Sequence, residues 1–227
     1  MPRLIGTRNE TSLHRELKFS YTECGGKTEA EIDGFVADGI NAKGEVIEVQ
    51  TGSLGPIRKK VIKIASKKKI RIIYPAIITK YIEVYNLKNK LQYRRKSPMR
   101  GSAWDIFNAL IYAPDLPLVS NLTIEIVLID AVEHRINDGK GSWRRRGISI
   151  KDRRLLVLHE KIILEEPKDY IKFLPFKKKD IITTALLGER AGIDKNLARK
   201  TLYVLFKMGL VERIGKQGNA WVYCRLQ

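Results

Sequence analysis

The order of helical and β-strand patterns over the first eighty residues constrains the fold more than any other feature of the chain. Leu13, Leu17 and Tyr21 lie on one face of an amphipathic helix that Thr11 or Ser12 can cap. Two stretches rich in Ile and Val follow, then a second helical pattern and another apolar stretch. The predicted elements are a helix over 11–21, strands over 31–40 and 45–51, a helix over 56–68 and a strand over 70–78. This order predicts an α/β fold in which a mixed sheet is flanked by helices.

The remaining sequence divides into an extension of this sheet and a separate C-terminal part. Further strands are predicted over 81–85, 91–94 and 122–131, with a helix over 102–112. Residues 140–154 hold seven basic residues and one acidic residue, and are predicted to form a basic loop. Prolines and a lysine run then mark a linker near residue 172. We therefore expect two domains, residues 1–172 and 173–227.

The charge of the chain indicates its class of partner. A formal net charge of +18 over 227 residues concentrates polyanions at the surface, so nucleic acid is the expected partner. No long apolar run or signal-peptide pattern follows Met1, so we expect a cytoplasmic protein with no membrane partner. Cys24 and Cys224 are far apart and lack zinc-ligand spacing, so neither a disulfide framework nor a zinc site is expected. The sequence leaves open whether the chain forms a homodimer.

The C-terminal pattern is typical of a small DNA-binding unit. A helix in IITTALLG, a short helix in GERAGI and a longer helix over 195–208 precede two short strands joined by a basic turn. Over residues 178–227 this pattern resembles the winged-helix superfamily, which docks its last helix in the major groove. The resemblance implies contacts with double-stranded DNA by the following residues: Lys195, Asn196, Arg199, Lys200 and, on the wing, Lys216. A winged helix that mediates protein contacts is the alternative.

Carboxylates in the first part suggest hydrolytic chemistry. Phosphodiester hydrolysis is helped by Mg²⁺, which prefers carboxylate oxygen ligands. In the segment Glu48-Val49-Gln50, the first and third side chains emerge on the same strand face. A loop over residues 39–44 would place Asp33 opposite Gln50 with Glu48 diagonal to it, whereas a tight turn at residues 42–43 would shift Asp33 by roughly 7 Å and separate them.

This acidic set, with the order of elements, resembles the PD-(D/E)XK nuclease superfamily over about residues 11–78. The resemblance implies that Asp33 and Glu48 bind Mg²⁺ or Mn²⁺, that the Val49 carbonyl adds a ligand, and that Glu16 is the acidic residue of the first helix. Gln50 stands in the place of the motif lysine, and a neutral amide supplies no positive charge. Lysines of the following helix can supply it instead, namely Lys59, Lys60 and Lys63. Other acidic contributors stay open at Glu23, Glu29 and Glu31.

The basic loop adds a second candidate nucleic-acid contact. Trp143 precedes Arg144, Arg145 and Arg146, so the indole can stack on a base or wedge into a base step while the arginines hold phosphates. A tryptophan that anchors the loop to the core is the alternative. The sequence as a whole predicts a metal-dependent DNA endonuclease. A non-catalytic DNA-binding regulator on a decayed nuclease fold is the alternative, and RNA processing is a third hypothesis.

Overall fold

The computed structural model describes residues 10–23 and 25–226. The helices in this part of the chain are α1 Ser12–Thr22, α2 Arg58–Ala65, α3 Ile106–Leu110, α4 Thr184–Ala191 and α5 Lys195–Lys207. The strands are β1 Lys27–Ile32, β2 Phe35–Ile40, β3 Val46–Val49, β4 Ile70–Tyr85, β5 Leu91–Lys96, β6 Leu122–Asn137, β7 Ile148–Leu164, β8 Ile181–Ile182, β9 Val211–Gln217 and β10 Ala220–Arg225. The α/β class predicted from the sequence is confirmed.

The large sheet has the strand order β1-β2-β3-β4-β6-β7, and β5 pairs with the outer part of β4. Strands β3, β4 and β6 are parallel, whereas the other neighbouring pairs are antiparallel. Leu13 and Leu17 of α1 join a buried cluster with Val49 of β3. Val61 and Ile64 of α2 are buried in the main core. The apolar stripes of both helices thus explain how the sheet is covered.

The segment 31–40, predicted as one strand, contains a hairpin turn. Asp33 and Gly34 have positive φ angles of 50° and 81°, and Ile32 pairs directly with Phe35. An Asp-Gly pair at φ > 0 favours a two-residue turn whose twist suits antiparallel strands. The single-strand prediction is therefore wrong, and the chain forms β1 and β2 here.

Strands β4, β6 and β7 continue well beyond the core. Residues 79–96 and 130–157 form an extension, here called the arm, in which β5, β4, β6 and β7 lie side by side. The prediction of a loop over 140–154 is wrong in its second half, because β7 begins at Ile148. Cross-strand pairing over many residues stabilises a strand even where its side chains are charged.

The C-terminal part contains the helix pair α4-α5 and a three-stranded sheet of order β8-β10-β9. Ile181 and Ile182 form β8 against β10, so the helix predicted from residue 180 begins only at Thr184, capped by the Thr183 hydroxyl. Helix α5 packs on α3, where Lys200 Nζ donates to Asn108 Oδ1 at 2.7 Å. The domain boundary near residue 172 stays a prediction.

Two further observations concern expected absences. Within residues 10–23 and 25–226, no helix is long and apolar enough to cross a membrane. Cys224 is a free, partly buried thiol. Cys24 lies outside the described residues.

Candidate functional site

The site is formed where β2 and β3 diverge. The two strands are paired at Gly39 with Ile47 and at Ile40 with Val46. One residue beyond, the Asp38 carboxylate takes the place of a backbone acceptor, and its Oδ2 receives the Val49 N–H at 2.8 Å. Asp38 is thereby fixed beside Glu48, since their positions face each other across the diverging strands.

Glu48 is a buried carboxylate with a cationic partner. Its side chain is 7% exposed, and Lys60 Nζ of α2 lies 2.5 Å from its Oε2. Burial raises the pKa of Glu48, and the charge of Asp38 raises it further, against the opposing effect of Lys60. Lys60, predicted to supply charge from the second helix, is therefore in contact with Glu48.

His14 of α1 completes the polar cluster. Its Nε2 lies 3.0 Å from the Val49 carbonyl and 3.3 Å from Asp38 Oδ2, while Nδ1 lies 2.7 Å from Glu10 Oε1. Burial lowers the pKa of His14, but its two carboxylate partners outweigh burial and raise the pKa to about 9. Burial likewise raises the pKa of Asp38, yet His14 and the Val49 amide hold it below its ordinary value.

Gln50 follows at the open end of β3. Its backbone N–H donates to Ile73 of β4, and its side-chain Nε2 donates to the Ser53 carbonyl at 2.7 Å. The anchored amide nitrogen fixes the direction of the side-chain oxygen, which is a hydrogen-bond acceptor. Gln50 can therefore orient a donor such as water next to Glu48.

Asp33 does not belong to this cluster. It lies in the β1-β2 turn, and its carboxylate pairs with Lys67 at 2.9 Å. The hydrogen bond and charge of Lys67 lower the pKa of Asp33. The predicted register is wrong because the loop joining β2 to β3 is closed by Asn41 and Glu45, which brings Asp38 rather than Asp33 level with Glu48.

Glu16 is also placed elsewhere. Its Oε2 accepts the Leu155 N–H at 3.2 Å, so it covers part of the exposed edge of β7. The expectation that Glu16 joins the acidic set is wrong. The alternative acids Glu23, Glu29 and Glu31 are all exposed, and Glu29 lies 3.6 Å from Lys18 Nζ.

The oxygen donors of this cluster are of the kind that a divalent cation prefers. Across the described ranges 10–23 and 25–226, no three His, Cys, Asp or Glu side chains are grouped as a metal site. Mg²⁺, however, is commonly bound by one or two carboxylates, with water and substrate phosphate as its other ligands. Asp38, Glu48 and the Val49 carbonyl are hard oxygen donors, and this set fits that requirement if a cation displaces the His14 ring, which lies 3.0 Å from the Val49 carbonyl and 3.3 Å from Asp38 Oδ2.

The predicted nucleic-acid contacts are mostly on the surface. Lys59 and Lys63 are exposed on α2, as are Lys195, Asn196 and Arg199 at the start of α5. Lys200 is partly buried against Asn108 and so faces α3. On the β9-β10 hairpin, Lys216 Nζ lies 4.5 Å from the centroid of the Trp221 ring. Trp143 is 83% exposed, which contradicts the alternative that it anchors its loop to the core.

Sequence reasoning missed Asp38 and His14. The Asp33-Gly34 dipeptide was the available signal, because a two-residue turn there ends one strand and starts the next at Phe35. With that turn in place, Asp38 becomes the acidic residue of the strand next to β3. His14 gave a weaker signal, its spacing of four residues from both Glu10 and Lys18 on one helix face.

Comparisons with known proteins place the chain in a family without describing its chemistry. The profile of a domain of unknown function, DUF8091, matches residues 11–165, the segment from α1 to β7. An uncharacterized protein of Treponema pallidum (strain Nichols) is 33% identical over 152 residues, which cover 67% of this chain and 61% of the relative. The chain thus spans about 61% of the length of that relative. No solved structure matches the chain.

Proposed function

We propose that this chain, which belongs to the DUF8091 family, is a divalent-cation-dependent nuclease that hydrolyses phosphodiester bonds of DNA. The observation that carries the proposal is the position of Asp38, whose carboxylate lies beside Glu48 where β2 and β3 diverge. The order α1, β1-β2-β3, α2, β4 with this acidic pair supports a likeness to PD-(D/E)XK nucleases, with Asp38 in the role first expected of Asp33.

Each residue of the site has a definable contribution. Asp38, Glu48 and the Val49 carbonyl would hold Mg²⁺ or Mn²⁺, which when bound stabilises negative charge on the phosphate as a Lewis acid. Lys60 balances the charge of Glu48 and adds positive potential at the site. Gln50, anchored by Ser53, orients water through its side-chain oxygen.

Binding to DNA is supported by charge and by the C-terminal part. The chain carries a net charge of +18, and its exposed lysines and arginines suit phosphate contacts. The helix pair α4-α5 with a sheet of order β8-β10-β9 supports the winged-helix interpretation, in which Lys195, Asn196 and Arg199 face the major groove.

A second candidate is a non-catalytic DNA-binding protein. It is favoured by the pairing of both carboxylates with cations of the chain itself, Asp38 with His14 and Glu48 with Lys60. A site neutralised in this way is electrostatically satisfied without a metal. The two candidates differ in whether a divalent cation binds and whether DNA is cut.

The test is cleavage of supercoiled plasmid, linear duplex, single-stranded DNA and RNA in Mg²⁺, Mn²⁺ or EDTA. We expect metal-dependent cutting of DNA by wild type, and cutting at least about a hundredfold slower by Asp38→Asn and Glu48→Gln. Asp38→Asn keeps an oxygen that can accept the Val49 N–H, so the fold is retained. Asp33→Asn is the matched control and should cut like wild type, because Asp33 lies in the β1-β2 turn.

The melting temperature gives a second readout of the same site. A cation that binds only the folded chain stabilises it by about 1.4 kcal/mol at a concentration tenfold above Kd. Mn²⁺ should therefore raise the melting temperature of wild type and of Asp33→Asn, but not that of Asp38→Asn. DNA binding without cutting and without a metal-induced shift would favour the non-catalytic candidate, and cutting of RNA alone would overturn the choice of DNA.

A further inference from the structure

We propose that the tip of the arm binds an unpaired nucleobase of a DNA strand, with Trp143 as the stacking side chain. The tip is the segment 138–147 that joins β6 to β7. This inference rests on the nucleic-acid binding of the proposed function and is independent of its catalytic step. According to this inference, the tip distinguishes DNA that has an unpaired base from a fully paired duplex.

The tip is a closed loop held by its own hydrogen bonds. Gly141 N–H donates to the Gly147 carbonyl at 2.8 Å, and Arg145 N–H donates to the Ser142 carbonyl at 2.9 Å. Arg145 Nε also donates to the Ile148 carbonyl at 3.2 Å, at the start of β7. A loop fixed in this way loses little conformational entropy when it binds a partner.

Trp143 projects from this loop into solvent. Its side chain is 83% exposed, and none of the other described large hydrophobic side chains is more exposed. The Arg144 guanidinium carbon lies 5.5 Å from the centroid of the indole ring. Within the described part of the chain, Arg144 is the only cation placed over this ring. An indole exposed to this extent contributes little to folding and offers a large flat surface to a partner.

The charge around Trp143 selects the chemistry of that partner. The tip carries one acidic residue, Asp138, whose carboxylate is bonded to Ser149 and Lys151 at the start of β7. It also carries four cations, namely Lys140, Arg144, Arg145 and Arg146. Aromatic side chains among cations bind single-stranded nucleic acid, because bases stack on the ring while the cations contact phosphates. A base inside a duplex already has both faces stacked, so an unpaired base fits the exposed indole better. An anionic membrane is less suitable, since one tryptophan among four cations presents little apolar area.

The length of the arm sets the distance between the tip and the acidic pair of Asp38 and Glu48. Val49 lies level with Ile73 of β4, which pairs with Glu125 of β6, and β6 ends at Asn137. The twelve residue-to-residue steps from Glu125 to Asn137 span roughly 40 Å at the usual rise of a strand. A DNA molecule lying along the arm would place about 12 base pairs between the unpaired base and the phosphate at Asp38.

Binding by three labelled probes tests the proposal, measured by fluorescence anisotropy in EDTA. The probes are single-stranded oligo(dT), a blunt duplex, and the same duplex with a single-stranded dT tail. Wild type should bind the tailed duplex more tightly than the blunt one. Trp143→Ala should weaken binding to the tailed and single-stranded probes by between about fivefold and a hundredfold, with little change for the blunt duplex.

Two further variants separate stacking from simple exposure. Trp143→Phe keeps an aromatic face and should retain most of the affinity for the tail. Leu87→Ala is the matched control, because Leu87 is 79% exposed on the neighbouring β4-β5 turn of the arm and has no aromatic ring. It should bind all three probes like wild type.

Several results would overturn the proposal. These are unchanged binding by Trp143→Ala, an equal loss for blunt and tailed duplex, or binding of phosphatidylserine vesicles that requires Trp143. Unchanged binding would mean that Trp143 does not contact the DNA. An equal loss for both duplexes would indicate that Trp143 wedges into duplex DNA, and vesicle binding would indicate that the tip contacts a membrane surface. Because binding is measured without metal, absence of cleavage in the earlier assay leaves this outcome unaffected.

Discussion

Two aspartates five residues apart in sequence have different surroundings. Asp33 is held in the β1-β2 turn by Lys67, whereas Asp38 bonds to the Val49 N–H and faces Glu48. The difference has two causes: the Asp33-Gly34 turn takes Asp33 out of β2, and the loop closed by Asn41 and Glu45 sets the β2-β3 pairing that brings Asp38 level with Glu48. The identity of the acidic pair therefore depends on these two turns more than on the motif itself.

His14 gives the site a pH dependence that can be measured as stability. Its pKa is raised from 6.5 to about 9 in the folded chain, so its stabilising effect is complete below about pH 6.5. The effect is lost as the pH rises through about 9. We expect the free energy of unfolding to fall over this range by on the order of 2 kcal/mol more in wild type than in His14→Gln.

Chemical denaturation in metal-free buffer between these pH values measures that difference. Glutamine can still donate to the Val49 carbonyl but does not titrate, so it is a suitable reference for the charge of His14. Parallel pH curves for the two proteins would contradict the assigned role. His134→Gln is the control, because His134 lies on the arm beside Glu83 and away from Asp38.

At the scale of elements, periodicity located the helices and strands that bury one clear face. Helices α1, α2 and α5 begin and end within a few residues of their predicted bounds. Strand β7 was missed because it lies at the sheet edge with many exposed and charged side chains, so alternation is weak along it. The candidate site was predictable in part, since Glu48 and Gln50 share β3 or its end, but the choice of aspartate required the pairing of β2 with β3.

The arm depends on a buried carboxylate. Glu133 of β6 is 1% exposed, and its oxygens bind Arg135 at 2.5 Å and Arg153 of β7 at 2.9 Å, with Lys80 of β4 at 4.0 Å. One side chain therefore links the three long strands across the sheet. Burial raises the pKa of Glu133, but the arginines outweigh it and the pKa lies below its ordinary value of 4.5.

We predict that Glu133→Gln destabilises the chain at neutral pH by on the order of 2 kcal/mol, because three partly buried cations lose their counter-charge. The stabilisation by Glu133 is present above about pH 4.5 and is lost as the pH falls through the lower folded pKa, so the variant should approach wild type in acid. Thermal melts from pH 7 to pH 3 measure both effects. Glu160→Gln on exposed β7 is the control, and a constant difference between Glu133→Gln and wild type at every pH would argue against this account.

At the scale of the whole molecule, the C-terminal part and the sheet share one core. Leu197 and Leu202 of α5 belong to the same buried cluster as Ile64 of α2 and Phe107 of α3. Phe173 and Phe176 lie in that cluster as well. Shared burial of this kind restricts the motion of the C-terminal part relative to the Asp38–Glu48 pair. Under the proposed function, a duplex held by α5 would therefore have a defined approach to Asp38.

Arg199 and Lys200, which are neighbours in the first half of α5, should therefore behave differently. Arg199 is exposed, and one guanidinium nitrogen bonds to Asn196, so its remaining donors can contact phosphate. Lys200 instead donates to Asn108 of α3. In a titration of duplex binding against salt, Arg199→Ala should lower the magnitude of the slope of log K against log [salt] by about 0.9, the value for one phosphate contact. Lys200→Ala should leave the slope near that of wild type and lower the melting temperature, because it removes a contact that joins α5 to α3.

Arg95→Ala, a change of the same charge on exposed β5, controls for the general loss of one positive charge. A slope reduced by Lys200→Ala and unchanged by Arg199→Ala would reverse the assignment, and place the DNA on the face of α5 that now packs against α3.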